Sequence, residues 1–252
     1  MIYLGLDIST SCVGVTVLED DGSKYGKILE ITHITPKAEK KLDKDEILFR
    51  KAESFKEEFI ARFQKYDISK VIIEEPLLKS NNINTVSTLL RFNGMISLII
   101  YELLGIKANY ISSYDARKYS FPLYLMDIRK INKKGEEYEA KKILKSIKDN
   151  NFTLFGNYEW DVDKKLVLQK LISNEFPDIE WERNKKGEFC KENFDASDSY
   201  IAVLGYKNKI NYGELNIIAS DVNYNKETNA IEYNLNFWGE THNKKIQLKA
   251  KS

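Results

Sequence analysis

Cysteine and histidine are scarce in this chain of 252 residues, with two of each. Cys12 and Cys190 stand in no Cys-x-x-Cys spacing. A disulfide framework and a structural zinc site are therefore unexpected, and a reducing, cytoplasmic setting (bacterial, or that of a phage-infected host) is the expected one. With His33 and His242 as the only histidines, no Ser-His-Asp or Cys-His arrangement competes strongly as the source of chemistry. Long apolar runs are lacking too: none approaches the roughly 18 residues of a membrane span. The opening MIYLGLDIST has no basic start ahead of an apolar stretch, so neither a membrane nor a secretory signal is expected. An excess of one charge is also missing. The formal net charge is +1, so an anionic partner must be held by local patches rather than by the field of the whole molecule.

What is present fits a globular protein. Hydrophobic residues make up 42% and charged residues 31%, enough to bury the core of one large domain or of one domain with additions. MIYLGLD and CVGVTVLED read as two short strands around the turn ISTS, and a third strand is predicted near KYGKILEITHI. From Lys44 to Tyr66, Ile47, Leu48, Phe55, Phe59 and Phe63 recur at helical steps. KVIIEE follows as a fourth strand and ends at Pro76. The segment from 83 to 104 reads as a long apolar helix closed by Gly105, and KANYISS as a fifth strand. Three strands, a helix, a strand, a helix and a strand predict a mixed α/β sheet with helices against it. Residues 120–160 read as a charged surface insertion. Helices are predicted over DKKLVLQKLISNEF and FDASDSYIAVLGYK, and β-hairpins beyond 210. The expected organisation is thus a domain over 1–209, interrupted near 120–160, and a β-rich extension over 210–252.

Four carboxylates stand at the ends of separate predicted elements. In the first strand Ile2, Leu4 and Leu6 share one face, and Asp7 is the first charged residue on the other. Glu74 and Glu75 must point to opposite faces of the fourth strand, so at most one joins Asp7. Asp195 and Asp198, three apart at a helix start, share a face. Converging carboxylates suit hard divalent cations, which prefer oxygen ligands. Two such ions about 3.5–4 Å apart serve phosphodiester cleavage. Each residue also has an ordinary use: Asp7 as a turn former, Asp195 as a helix N-cap, Asp198 as a first-turn charge, Glu74 or Glu75 as a solvated edge residue. The signal lies in their combination and chain order.

In that combination the chain resembles the RuvC-type Holliday junction resolvases of the RNase H-like superfamily. The likeness rests on Leu4-Gly5-Leu6-Asp7 with Gly14, on Ile73-Glu74, and on Asp195-Ala196-Ser197-Asp198. It extends through IEEPLLKSN, the helix at 83–104, YDARKY and KKLVLQKLI, and covers most of 1–207 outside the insertion. Pro76 and Leu77 depart from it, standing where the family usually carries an aromatic or bulky residue. The resemblance implies an RNase H-like five-stranded sheet flanked by helices and a Mg²⁺-dependent endonuclease that resolves four-way DNA junctions as a homodimer. Two ions are implied, with Mn²⁺ able to substitute, held by Asp7, Glu74, Asp195 and Asp198 as catalytic acids. Glu75 is left with a structural or solvated role.

Phosphate contacts demand cations. The candidates are Arg117, Lys118, Lys164, Lys165, Arg183, Lys185 and Lys186, with Lys191 just beyond. Tyr119, Trp160 and Trp181 lie near these basic segments and read as core or lid packing rather than stacking platforms. The helix at 83–104 is apolar nearly all round, so it must be covered on more than one side; a partner subunit is the expected cover, and the insertion or the C-terminal hairpins are the alternatives. Three other functions stay open: a nuclease of this fold acting on other branched DNA or on RNA–DNA hybrid, a catalytically silent module binding branched nucleic acid, and an actin-like ATPase. The last rests on LGLDISTSCVGV, which also resembles a phosphate-binding hairpin. Its partner hairpin and glycine-rich adenosine site have no match among 12 scattered glycines.

Overall fold

The structure is a computed structural model. It describes residues 1–39, 41–76, 82–122, 128–130, 141, 144–145, 147–149 and 164–249, with only the backbone at 128–130, 164 and 247–249. Leu77, Trp160, most of the 120–160 insertion and the last residues of the chain lie outside the described residues. β1 (Ile2–Ile8), β2 (Val13–Glu19) and β3 (Lys27–Ile34) form an antiparallel meander. β4 (Lys70–Glu74) and β5 (Asn109–Ile111) add in parallel on the other side of β1, so the order is β3-β2-β1-β4-β5. This is the mixed five-stranded sheet that the order of elements predicts.

Strand alternation decides what each face of the sheet carries. Leu4, Leu6 and Ile8 of β1 join Val13, Val15 and Val17 of β2 in one core. That core is closed by α1 (Lys44–Phe63) and α2 (Ile83–Leu104). α1 starts at Asp43, whose carboxylate accepts from the amides of Asp45 and Glu46, satisfying donors that the first turn leaves open. Its Phe55, Phe59 and Phe63 stack along one side. α2 ends at Gly105, whose φ of 68° is left-handed, a conformation that favours glycine. The expectation that nothing approaches a membrane span is corrected here: α2 is long and apolar enough by length and composition. Its Phe92, Ile96 and Ile100 nevertheless pack into the core, as in a helix that covers a sheet.

The opposite face carries α3 (Ser113–Ser120), α4 (Lys164–Glu175) and α5 (Glu192–Tyr212). α5 is buried on almost every side from Ala196 to Gly205. It lies flush on the sheet because the strands beneath it lack side chains at two points. A Cβ on Gly5 would sit 2.4 Å from the Ser199 carbonyl oxygen, and one on Gly14 would sit 1.9 Å from that of Asp195. Between these points the Thr16 and Ser199 hydroxyls meet at 2.8 Å. At the far end of α5, the buried Lys207 ammonium donates to the carbonyls of Ser23 and Lys24 and lies 3.9 Å from Asp20. The helix is thereby tied to the β2–β3 turn.

A second sheet has the order β6-β9-β8-β7, built from β6 (Ile128–Lys130), β7 (Ile218–Asn225), β8 (Ala230–Phe237) and β9 (Glu240–Lys249). The hairpins expected beyond 210 are present, and β6, from within the 120–160 segment, pairs in parallel with β9. α5 runs on to Tyr212, past residue 209. Trp238 in the β8–β9 turn stacks on Tyr212 and Tyr119, with ring centroids 4.9 and 6.3 Å away. This sheet therefore docks against the ends of α3 and α5. Trp181 is partly buried against the second core and donates from its indole to Ser173, which is a packing role.

Gly14→Ala tests the flush contact of α5. Overpacking of a filled site costs about 1–3 kcal/mol and sometimes more; with the obstacle being backbone, urea unfolding is expected to show a loss at or above the top of that range.

Candidate active site

The sheet presents Asp7 and Glu74 from neighbouring parallel strands, at their C-terminal ends. Leu6 pairs with Ile73 in register, so the next residue along each strand is an acid. Asp7 lies across from Gly14, the residue on which the Asp195 backbone rests. Seating α5 there brings its first two turns over Asp7. The helix begins before Asp195, with Lys191 as its N-cap, so Asp195 is not the cap. Glu75 is exposed and apart from these acids, lining a cleft with Tyr110, Asp115 and, from α5, Tyr206 and Lys209.

The charges of neighbouring acids act on Asp7, Glu74 and Asp198. Burial, then the charges of Asp198 and Asp195, push Asp7 up to about 7 from an ordinary 3.8. Glu74 is raised well above its usual range by burial and then by Asp7 and Asp198. Asp198 is raised by burial, against the pull of Lys165 and Arg117. Two cations stand among these carboxylates. The Lys165 ammonium is 3.6 Å from Asp195 and 3.3 Å from Asp198, and Arg117 is 3.8 Å from Asp198. Burial pulls Lys165 down, but the attraction of Asp198, Asp195 and Asp7 outweighs it and the net shift is upward.

As they stand, no three Asp, Glu, His or Cys side chains among the described residues are grouped to hold a metal ion. Lys165 occupies the position between Asp195 and Asp198. The donor set still has the chemistry of a hard divalent cation site: it is carboxylate oxygen, half-buried to buried, and Asp7, Glu74 and Asp198 are disfavoured as anions without added positive charge.

Of the expected cationic residues, the fold brings Arg117 and Lys165 to the acids, while Lys118, Arg183, Lys185 and Lys186 form no ion pair with them among the described residues. Lys118 lies over the Tyr119 ring, and Tyr119 is buried and donates to Glu214. Arg183 covers Phe189 and donates to the Gly187 carbonyl, within an exposed loop that also carries Lys185 and Lys186. Asn193 fastens that loop to α5, accepting from the Glu182 amide and donating to its carbonyl. The Lys164 side chain is not among those described. One neighbour escaped the sequence reading: the buried Cys12 thiol feels the Asp195 carboxylate, and burial followed by that charge pushes the thiol up. Alternation could have found it, since Cys12, Gly14 and Thr16 share the strand face beneath α5.

No protein-family model matches the sequence, and no curated protein sequence does. Among solved structures, Thermus thermophilus RuvC in complex with a Holliday junction substrate aligns at 12% identity and a TM-score of 0.51, over 84% of this chain and 96% of that one. A second Thermus thermophilus RuvC structure aligns at 14% identity and 0.47, over 84% and 97%. The yeast mitochondrial Holliday junction resolvase aligns at 10% and 0.41, over 84% and 81%. At such identities the likeness speaks to the fold, and the first comparison carries it. The chain folds as RuvC does, an RNase H-like mixed sheet of five strands with helices on both faces.

Proposed function

We propose that this protein is a Mg²⁺-dependent, structure-selective endonuclease that cuts four-way DNA junctions. The observation that carries the reading is the gathering of Asp7, Glu74 and Asp198, with Asp195 beside them, from β1, β4 and α5 onto one side of the sheet. Buried carboxylates that raise one another's pKa cost stability and have no use in packing. Asp7, Glu74, Asp195 and Asp198 would hold two divalent ions, which when bound supply an activated water and stabilise the leaving oxygen. The chain's own part is to orient these oxygens on two strands and a helix, all rigid elements. Lys165, whose side chain is 45% exposed, would leave the carboxylates for a phosphate oxygen when metal arrives, and Arg117 would hold a neighbouring phosphate.

The same geometry favours one second reading. With Lys165 on Asp195 and Asp198, and no three acids among the described residues placed to hold a metal ion as they stand, the site would also suit a module that binds branched nucleic acid without cutting it. Labelled four-way junction, linear duplex, flap and RNA–DNA hybrid separate these possibilities. Paired nicks in the junction alone, lost in chelator and in Asp7→Asn, are expected. Metal-dependent cutting of the other substrates would keep the site and discard the junction; binding with no cutting at any metal concentration would sink the nuclease.

Asp7 also makes the metal-free protein sensitive to pH. Its folded pKa lies above the unfolded one, so the folded state holds the extra proton between about 4 and about 7. Stability contributed by that proton is present below this window and lost as pH rises through it. Asn at position 7 cannot ionise. In chelator the melting temperature of the wild type is expected to fall more steeply across the window than that of Asp7→Asn, leaving the variant several degrees more stable at pH 8. Mg²⁺ at pH 8 is expected to raise the wild type and to leave the variant nearly unmoved.

A homodimer through α2 completes the proposal. Leu90, Leu98 and Tyr101 are 42%, 57% and 53% exposed, and with Gly94 they follow one stripe at steps of four, four and three. Gly94 has nothing within 4 Å of where its Cβ would be, which leaves room for close approach. Light scattering after size exclusion is expected to give a dimer for the wild type and a monomer for Leu98→Glu. A monomeric wild type at working concentrations would remove the dimer from the proposal.

A further inference from the structure

The β1–β2 turn leaves the sheet just beyond Asp7, and its residues Ser9, Thr10 and Ser11 are half-buried or exposed. Several of its hydrogen bonds serve only to close it. The Ser9 amide and hydroxyl both donate to the Cys12 carbonyl, at 3.0 and 2.8 Å, and the Cys12 amide donates to the Ser9 hydroxyl at 3.1 Å. The Ser9 and Ser11 hydroxyls lie 3.2 Å apart. The amides of Thr10 and Ser11 and the Thr10 hydroxyl find no partner among the described residues. The turn is thus rich in donors that have no acceptor.

Behind it stands a cation in the same condition. Lys51, in the middle of α1, donates from its ammonium to the Thr10 carbonyl. It is half-buried and forms no ion pair among the described residues. Its neighbours on α1 behave otherwise: Arg50 reaches both Glu46 and Glu53, and Lys56 reaches Glu102. A half-buried ammonium held by a neutral carbonyl keeps an unbalanced charge, and an anion beside it would be stabilised. A point charge, serine and threonine hydroxyls and free backbone amides are together the donors that phosphate oxygens take.

We propose that Lys51 and the Ser9–Ser11 turn form a phosphate seat, separate from the acid cluster, that grips the phosphodiester backbone of the bound strand. The inference rests on the nucleic-acid reading above and adds to it a contact from the β1–β2 turn and α1, elements other than those that supply Arg117 and Lys165. Thr10 is three residues beyond Asp7, roughly 10 Å of extended chain, so one strand can touch both the seat and the acids. The recognition is of backbone charge and carries no base preference.

The test is junction binding in chelator across a salt series, with wild type, Lys51→Gln and Lys51→Arg, and with melting temperatures recorded for all three. Each phosphate contact contributes about −0.9 to the slope of log affinity against log salt. Lys51→Gln is expected to make the slope shallower by about that amount, Lys51→Arg to restore it, and the melting temperatures to stay together. Equal slopes for wild type and Lys51→Gln overturn the seat. So does a shallower slope that arginine fails to restore, together with a lowered melting temperature, since that is what losing the Thr10 contact alone would do. A wild type that binds no DNA sinks the functional reading instead. The seat is then judged with inorganic phosphate by amide NMR: shifts at Thr10 and Ser11 in the wild type but not in Lys51→Gln retain it as an anion seat, and unmoved amides overturn it.

Discussion

The close seating of α5 on the β1–β2 hairpin is the constraint on which the rest depends. Helix backbone can meet strand backbone here because Gly5 and Gly14 leave no Cβ between them. The Thr16–Ser199 hydroxyl pair then satisfies polar groups that the contact would otherwise bury unpaired. Since Gly14 lies directly across from Asp7, the contact that packs the helix also brings Asp195 and Asp198 to the end of β1. Packing and site are one event in this fold. A helix held farther off would fill the core with side chains and separate the acids.

That arrangement concentrates negative charge in a buried place, and the chain answers it with cations from two further helices. Arg117 comes from α3 and Lys165 from α4, and both reach Asp198 near the start of α5. The opposite end of α5 is handled differently. Lys207 is buried, held by main-chain carbonyls with Asp20 3.9 Å away, and burial outweighs that carboxylate and lowers its pKa. One helix thus carries an acidic, ion-seeking end and a cationic end tied to a turn. The second end resists displacement of the helix, which keeps the first in register with β1 and β4.

The second sheet is fixed by aromatic packing, with Lys24 of the β2–β3 turn adding an ion pair to Glu240 and a contact over the Phe237 ring. Trp238 adopts a positive φ of 49° in the turn that presents it, a conformation uncommon outside glycine. Its ring meets Tyr119 of α3 and Tyr212 at the end of α5. Because α3 also supplies Arg117, the docked sheet buttresses the helix that brings this cation to the site. The parallel pairing of β6 with β9 joins a strand from within residues 120–160 to the C-terminal hairpins, so two segments distant in sequence make one layer.

Much of this was legible in the sequence because it is local. Phe55, Phe59 and Phe63 at helical steps, the alternation of Leu4 and Leu6 with Asp7, and Gly105 after an apolar helix each state their element through near neighbours. Period-two alternation also separated Glu74 from Glu75, and the structure has Glu74 with Asp7 and leaves Glu75 on the surface. Composition could not tell Lys118 or the 183–186 loop from Arg117 and Lys165, since all are cations near the right elements. Which of them reaches the acids depends on how α3 and α4 lie against α5. The place of Lys51 beneath Thr10, the thiol of Cys12 beside Asp195 and the exposed stripe of α2 have the same origin. Sequence by itself determined the elements, their faces and the acids they carry, because hydrogen bonding along the backbone and burial of one face act within a few residues. Tertiary structure alone decided which charges meet, because that depends on contacts between segments far apart in the chain.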